Sequence, residues 1–235
     1  MPVKKEDLLE KNGFYIEFAT EKKPRKRKVI SRSKSHPTWK YPSWKKGRMI
    51  HCESELERDA CRRLDVDLSV FTYGEQGVCI TYKLNNEIHR HYPDFFVETS
   101  MGKIFKEVKY EDDANLPEIS ERTEYLSKVL PIDGYRYEVI TEAEIRKQPR
   151  MDNAVYLLRR GRQPVDVLAH EALRQYSKIK GDLCWGNLTK DKSCPINLFQ
   201  VCRLILEGYL MISLDEVWHE HTPVFLSSSN KKRSA

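Results

Sequence analysis

The chain has 235 residues, 40% of them hydrophobic and 32% charged, with a formal net charge of +6. That length suits one sizeable core, or one domain with a small second one. No apolar run approaches the length of a membrane span, and the six cysteines show no CxxC pairing and no disulfide-framework spacing. No apolar h-region follows Met1-Pro2-Val3-Lys4-Lys5-Glu6, so a cytoplasmic protein with reduced thiols is expected.

Residues 1–48 read as a basic N-terminal arm. Glu21 is the only acid between positions 21 and 48, against Lys22, Lys23, Arg25, Lys26, Arg27, Lys28, Arg32, Lys34, Lys40, Lys45, Lys46 and Arg48. Trp39, Tyr41 and Trp44 are interleaved with Pro24, Pro37 and Pro42. Such a stretch suits phosphate-backbone contact with counterion release. It makes Lys22, Lys23, Arg25, Lys26, Arg27, Lys28, Arg32, Lys34, Lys45, Lys46 and Arg48 the candidate DNA-binding residues. The alternative is a solvated tail, or a segment that binds an acidic protein surface.

Ser54 to Leu64 reads as a helix with Leu56, Ala60, Cys61 and Leu64 as its apolar stripe. Glu57 borders that stripe, whereas Glu55 neighbours Arg58, Asp59 and Arg62 and faces solvent. Ser54-x-x-Glu57 is also a capping box, so capping and chemistry compete for one carboxylate. Strands follow at Ser69–Tyr73 and Val78–Leu84, with Asn85-Asn86 as a hairpin turn into Ile88–Tyr92.

Tyr92 to Glu98 and Lys103 to Lys109 alternate as two strands around a turn in which Gly102 supplies the φ > 0 position. A turn symmetric between Ser100 and Met101 sets Asp94 opposite Glu107, with Cβ atoms about 4.5–5.5 Å apart. Lys109, two residues on, shares the face of Glu107. Two carboxylates that close repel unless a cation lies between them, and a divalent metal with oxygen ligands meets that need. Asn115–Val129 then reads as a helix with Pro117 in its first turn, Tyr135–Thr141 as a strand, and Thr141–Ile145 as the start of a short helix.

Arg159 to Pro164 reads as a linker. Beyond it come a helix from Val165 to Lys178 closed by Gly181, and an apolar helix from Pro195 to Glu207 opened by Ser193 and closed by Gly208. Strands at Tyr209–Ser213 and Pro223–Leu226 complete a helix–helix–wing order over residues 165–226, suited to DNA binding or to docking on a partner. Cys184, Cys194, Cys202, His219 and His221 match no zinc-knuckle spacing. Residues 227–235 read as a disordered tail.

The Pro93-Asp94 pair followed by Glu107-Val108-Lys109, with Glu57 on a helix upstream, resembles the active site of the PD-(D/E)xK nuclease superfamily. Taken in order, Ser54-x-x-Glu57, Leu64-Asp65-x-Asp67, Val70, Glu75-Gln76, Pro93-Asp94-Phe95 and Glu107-Val108-Lys109 resemble the TnsA family of transposon endonucleases over about Ile50 to Ile145. That family also accepts Gln at the third acidic position, where this chain has Glu107. The resemblance implies a restriction-endonuclease-like mixed sheet flanked by helices over residues 49–160, and a small winged-helix-like C-terminal domain. It implies Mg²⁺ (or Mn²⁺) held by Asp94 and Glu107, with the Val108 carbonyl as a further ligand and Glu57 bound directly or through water. Glu57, Asp94, Glu107 and Lys109 are then the catalytic set, Lys109 orienting the attacking water or stabilising negative charge. It further implies cleavage of double-stranded DNA at the 5′ ends of a transposon during cut-and-paste movement, in the bacterial nucleoid, with a TnsB transposase and a TnsC ATPase as partners. The rivals are a stand-alone restriction or repair nuclease and a non-catalytic DNA-bridging adaptor.

Overall fold

The computed structural model describes residues 5–20 and 38–227 of a mixed α/β chain. Lys22, Lys23, Arg25, Lys26, Arg27, Lys28, Arg32 and Lys34 lie outside the described residues, as does the expected tail after Ser227. The chain divides into two compact units, one up to Arg146 and the other from Lys147.

The first unit runs α1 (Lys5–Asn12), β1 (Phe14–Phe18), β2 (Trp39–Ser43), β3 (Arg48–Cys52), α2 (Glu55–Val66), β4 (Val70–Glu75), β5 (Val78–Leu84), β6 (Glu87–His91), β7 (Phe95–Thr99) and β8 (Gly102–Lys109). It continues through α3 (Glu111–Ala114), α4 (Pro117–Val129), a 3₁₀ turn at Leu130–Asp133, β9 (Tyr135–Thr141) and α5 (Glu142–Ile145). Its central sheet has the order β4-β7-β8-β9, antiparallel except for the parallel β8–β9 pair. A second sheet, β1-β5-β6, is antiparallel throughout. Asn85 (φ 52°) and Asn86 (φ 64°) form the β5–β6 turn, the double positive φ of a type I′ hairpin, which Asn tolerates.

The core of this unit joins the two sheets to α4. Phe14, Val78, Ile80 and Tyr82 from β1 and β5 meet Phe105 and Tyr137 from the central sheet, and Leu126 and Leu130 from α4 and the turn after it. Each fully buried side chain of this kind contributes about 1.5–3 kcal/mol. In α2 the expected stripe of Leu56, Ala60, Cys61 and Leu64 is buried.

Two sequence expectations are corrected here. Residues 1–48 are not wholly an arm, because β1 pairs along its whole length with β5 and β2 pairs with β3 in a hairpin. The burial of Tyr41 and Ser43 explains the hairpin. Both hydroxyls donate to the Asp65 carboxylate of α2, at 2.8 and 2.7 Å, as does the Trp44 backbone N–H at 3.1 Å and the Tyr73 hydroxyl at 3.1 Å. Asp65 is fully buried, so these four donors stand in for water.

The domain boundary also differs from the expected one between Arg160 and Val165. The second unit begins with α6 (Arg150–Arg160), followed by α7 (Val167–Lys180), β10 (Leu183–Cys184), α8 (Trp185–Thr189), α9 (Leu198–Leu206), β11 (Leu210–Met211) and β12 (Pro223–Leu226). Met151, Ala154, Leu157 and Leu158 give α6 an apolar face that packs on α9, so the helix belongs with this unit. At its end a Cβ on Gly161 would stand 2.9 Å from backbone atoms of both Cys202 and Arg203, an approach open only to glycine. The three short strands pair antiparallel in the order β10-β12-β11. Asn197, not Ser193, caps α9, in a capping box with Gln200.

Asp65→Ala leaves three hydroxyls and one N–H buried without their acceptor, and is expected to cost about 3–5 kcal/mol. A urea denaturation midpoint unchanged from wild type would show that the β2–β3 hairpin does not depend on this carboxylate.

Candidate active site

The β7–β8 ladder pairs Phe95 with Lys106, Val97 with Ile104 and Thr99 with Gly102. Continued one step past the end of β7, it sets Asp94 against Glu107, the register expected from the turn. The backbone of Asp94 is tethered on the other side too, because the Gln76 N–H donates to its carbonyl at 3.0 Å. Its carboxylate accepts the Val108 N–H at 2.8 Å.

Glu107 is buried, 4% exposed, and has a cation on one oxygen and an imidazole by the other. Lys109 Nζ lies 2.8 Å from Oε1 and Arg122 Nη2 lies 3.6 Å from it. His91 Nε2 is 3.2 Å from Oε2, outside hydrogen-bonding geometry, which leaves Oε2 buried without a hydrogen-bond partner. Tyr137 Oη meets the same His91 nitrogen at 3.0 Å. Glu57 faces the same pocket from α2. Its Oε2 accepts the Glu53 N–H at 2.9 Å and its Oε1 the Ser54 hydroxyl at 3.3 Å, while Ser54 Oγ accepts the Glu57 N–H at 3.0 Å. Ser54 therefore caps the helix, but Glu57 takes the N–H of Glu53 and not that of the N-cap residue, so the reciprocal half of the capping box is not formed, and the carboxylate still lines the pocket. Glu53, Glu57, Arg90, His91, Asp94, Glu107, the Val108 segment and Lys109 enclose about 380 Å³.

Burial sets the protonation of these groups. It pushes Asp94 well above the usual carboxylate range, and the charges of Glu107 and Glu57 push the same way. It lifts Glu57 to about 7 against the hydrogen bonds at its cap. Burial also acts upward on Glu107, but His91 and Lys109 outweigh it and hold this carboxylate at about 2. Burial pulls the Lys109 ammonium down, Glu107 more than restores it, and the lysine stays charged. Burial lowers His91, so its imidazole is neutral at pH 7. The pocket thus holds one firmly ionised carboxylate, two that keep their protons above the ordinary carboxylate range, and a fixed cation.

These donors fit a divalent ion with hard oxygen ligands. Mg²⁺ is commonly bound by one or two carboxylates while keeping several waters. Asp94 and Glu107 supply the two, the Val108 carbonyl follows directly after Glu107 in sequence, and the orphaned Glu107 Oε2 is an acceptor that a cation satisfies. Among the described residues no three His, Cys, Asp or Glu side chains are gathered as a metal-holding group. The fit is to a two-carboxylate site completed by water, with Glu57 acting through water because its oxygens are engaged at the cap.

The described part of the expected DNA-binding set has other engagements. Lys45 Nζ donates to the carbonyls of Leu64 at 2.8 Å and Val70 at 2.9 Å, and to that of Asp67, satisfying the C-terminal end of α2. Arg48 forms a two-pronged pair with the buried Glu75 at 2.9 and 2.8 Å, and Lys46 donates to Thr72 Oγ1 at 2.9 Å. These three side chains hold the β2–β3 hairpin to α2 and β4, so in the folded chain they have structural partners besides any phosphate.

Three site residues escaped the sequence reading. His91 lines the pocket, while His89, two residues before it, stacks on Tyr82. Tyr137 passed as an ordinary strand residue. Arg122 had a signal, since it stands three residues after Ile119 and four before Leu126, the two buried positions of α4. An arginine within an apolar stripe needs an anionic partner.

In the folded chain Asp94 keeps a proton that the unfolded chain releases, so stability falls as pH rises beyond the ordinary Asp range. Asp94→Asn keeps an acceptor for the Val108 N–H and cannot ionise. It is expected to stabilise the metal-free protein at pH 8 by on the order of 1 kcal/mol, about 2–4 °C in Tm, and by less at pH 5. Thermal denaturation in EDTA that showed no gain, or the same gain at both pH values, would contradict this. No protein-family model and no curated protein matches the sequence, so the chemistry open to this pocket is set by its own geometry.

Proposed function

We propose that the chain is a divalent-metal-dependent DNA endonuclease of PD-(D/E)xK type that cuts the 5′ ends of a transposon, as its resemblance to the TnsA family implies. The observation that carries this reading is the cross-strand placement of Asp94 and Glu107 with Lys109 on the next same-face position, in one pocket with Glu57. The four-stranded mixed sheet with α2 and α4 packed on it supports a restriction-endonuclease-like core. In the second unit the order helix, strand, helix, helix, strand, strand from α7 to β12 supports a winged-helix reading. Its α9 is apolar and exposes Phe199, and Met211 and Phe225 stand exposed as cross-strand partners. That surface suits docking on a protein such as the TnsC ATPase, with TnsB acting at the 3′ ends. Action at transposon-end DNA places the protein at the bacterial nucleoid.

In this mechanism Asp94 and Glu107 would hold Mg²⁺ or Mn²⁺, with the Val108 carbonyl as a further oxygen. When bound, such an ion polarises the scissile phosphate and acidifies water. Lys109, charged and 2.8 Å from Glu107, directs its ammonium toward the negative charge that grows on the phosphate as water oxygen bonds to phosphorus and the P–O ester bond breaks. Glu57, poised near 7, would take the proton from a water in the pocket. One observation favours a second reading: both Glu57 oxygens are engaged at the start of α2, which suits a DNA-bridging adaptor without catalysis.

Strand-resolved cleavage of transposon-end DNA by the full chain with TnsB and TnsC, in Mg²⁺ or in EDTA, tests both. We expect Mg²⁺-dependent 5′ cuts that fall at least 100-fold in Asp94→Asn, with 3′ joining retained, a loss of about 2.7 kcal/mol of transition-state stabilisation or more. Undiminished 5′ cutting by the variant would remove this site from the reaction. Cutting of arbitrary DNA by the chain alone would identify an independent nuclease.

A further inference from the structure

We infer that Tyr137 and His91 are positioning residues that fix the orientation of the Glu107 carboxylate. The inference rests on the reading of Asp94 and Glu107 as metal ligands. Three elements converge to build the arrangement. The parallel β8–β9 register pairs Phe105 with Tyr137 and Glu107 with Val139, so Tyr137 stands one same-face step from Glu107. His91 arrives from β6 in the other sheet, at the end of its ladder, paired with Ile80. Its Nε2 lies 3.0 Å from Tyr137 Oη and 3.2 Å from Glu107 Oε2.

Burial makes these contacts informative. Tyr137 is 5% exposed and His91 8%. Tyr137 belongs to a cluster otherwise built from Phe, Val, Ile, Leu and one other Tyr, where a phenylalanine would pack without a polar atom to satisfy. Its hydroxyl instead meets the imidazole that abuts the Glu107 carboxylate. Outer groups that hold a ligating side chain in one orientation are commonly worth 10–100-fold in metal affinity or activity.

Calorimetric titration of the full chain with Mn²⁺ alone tests this, alongside thermal denaturation and the cleavage assay. Tyr137→Phe removes one oxygen and changes no formal charge. It is expected to weaken Mn²⁺ binding about 10-fold with Tm within a few degrees of wild type, and to lower kcat more than it raises KM for DNA. His91→Phe is expected to weaken binding at least as much, and His91→Gln, which can restore a polar contact to the Tyr137 hydroxyl, to recover part of the loss. Wild-type affinity in both Tyr137→Phe and His91→Phe, with binding lost in Asp94→Asn, would overturn the positioning role and leave the metal site standing. A fall in Tm without a change in affinity would make the pair purely structural. Failure of the wild type to bind Mn²⁺ would overturn the metal reading and this inference with it.

Discussion

The ladder that pairs Phe95 with Lys106 decides which face of β8 carries charge into the pocket. Side chains alternate along a strand, so a slip of one residue would bring Lys106 and Val108 opposite Asp94's face and turn Glu107 and Lys109 away. The turn resists that slip. Gly102 takes φ +116°, the Thr99 hydroxyl donates to the Gly102 carbonyl at 2.8 Å, and the Met101 N–H donates to the same hydroxyl oxygen at 3.1 Å. Phe95, Val97 and Ile104 bury their side chains only in this register. Beyond the strand end, Gln76 and Val108 hold Asp94 by its carbonyl and its carboxylate. Local turn chemistry and burial thus agree on one alignment, and the pocket inherits its geometry from them.

That alignment concentrates anions where water is scarce. Asp94, Glu57 and Glu107 face one pocket, and the chain answers with cations around Glu107 rather than around all three. One carboxylate stays ionised, and the other two relieve the repulsion by keeping their protons longer. The arrangement does not maximise stability, since a buried acid pushed above its ordinary range works against folding at neutral pH. Such a cost is expected where a site must be ready for a ligand that brings positive charge.

Much of this was readable from the chain because it depends on short-range rules. The α2 stripe follows helical spacing, the β5–β6 turn follows from Asn85-Asn86, β9 was placed at Tyr135–Thr141, and the Asp94–Glu107 alignment follows from counting across a turn. What was missed depends on partners distant in sequence. Nothing near Lys45 announces that its ammonium will close the end of α2, and nothing near Arg48 announces the buried Glu75, 27 residues on. A run of lysine and arginine with interspersed aromatics therefore reads as an arm, while Tyr41 and Ser43 are drawn into a hairpin by Asp65. The boundary at Arg146 escaped for the same reason. The apolar face of α6 is visible locally, but its match to α9 is made some forty residues later. His91, Arg122 and Tyr137 come from three elements and meet only at Glu107.

Glu57 shows how one side chain can satisfy a local rule and still belong to the site. Its hydrogen bonds from Glu53 and Ser54 are those of a helix N-terminus, where backbone N–H groups and the helix dipole favour a negative charge. By that rule alone the carboxylate should be a stronger acid than usual. Burial against Asp94 and Glu53 wins, and Glu57 sits near 7 instead. The two effects act on different properties of the group. The cap fixes where the carboxylate stands, because its oxygens answer donors at the start of α2. Desolvation fixes when it carries a proton, because the carboxyl is buried. A carboxyl held still at the helix start and titrating near neutrality meets both conditions for exchanging a proton with a water molecule in the pocket, so its local hydrogen bonds do not by themselves exclude the chemistry.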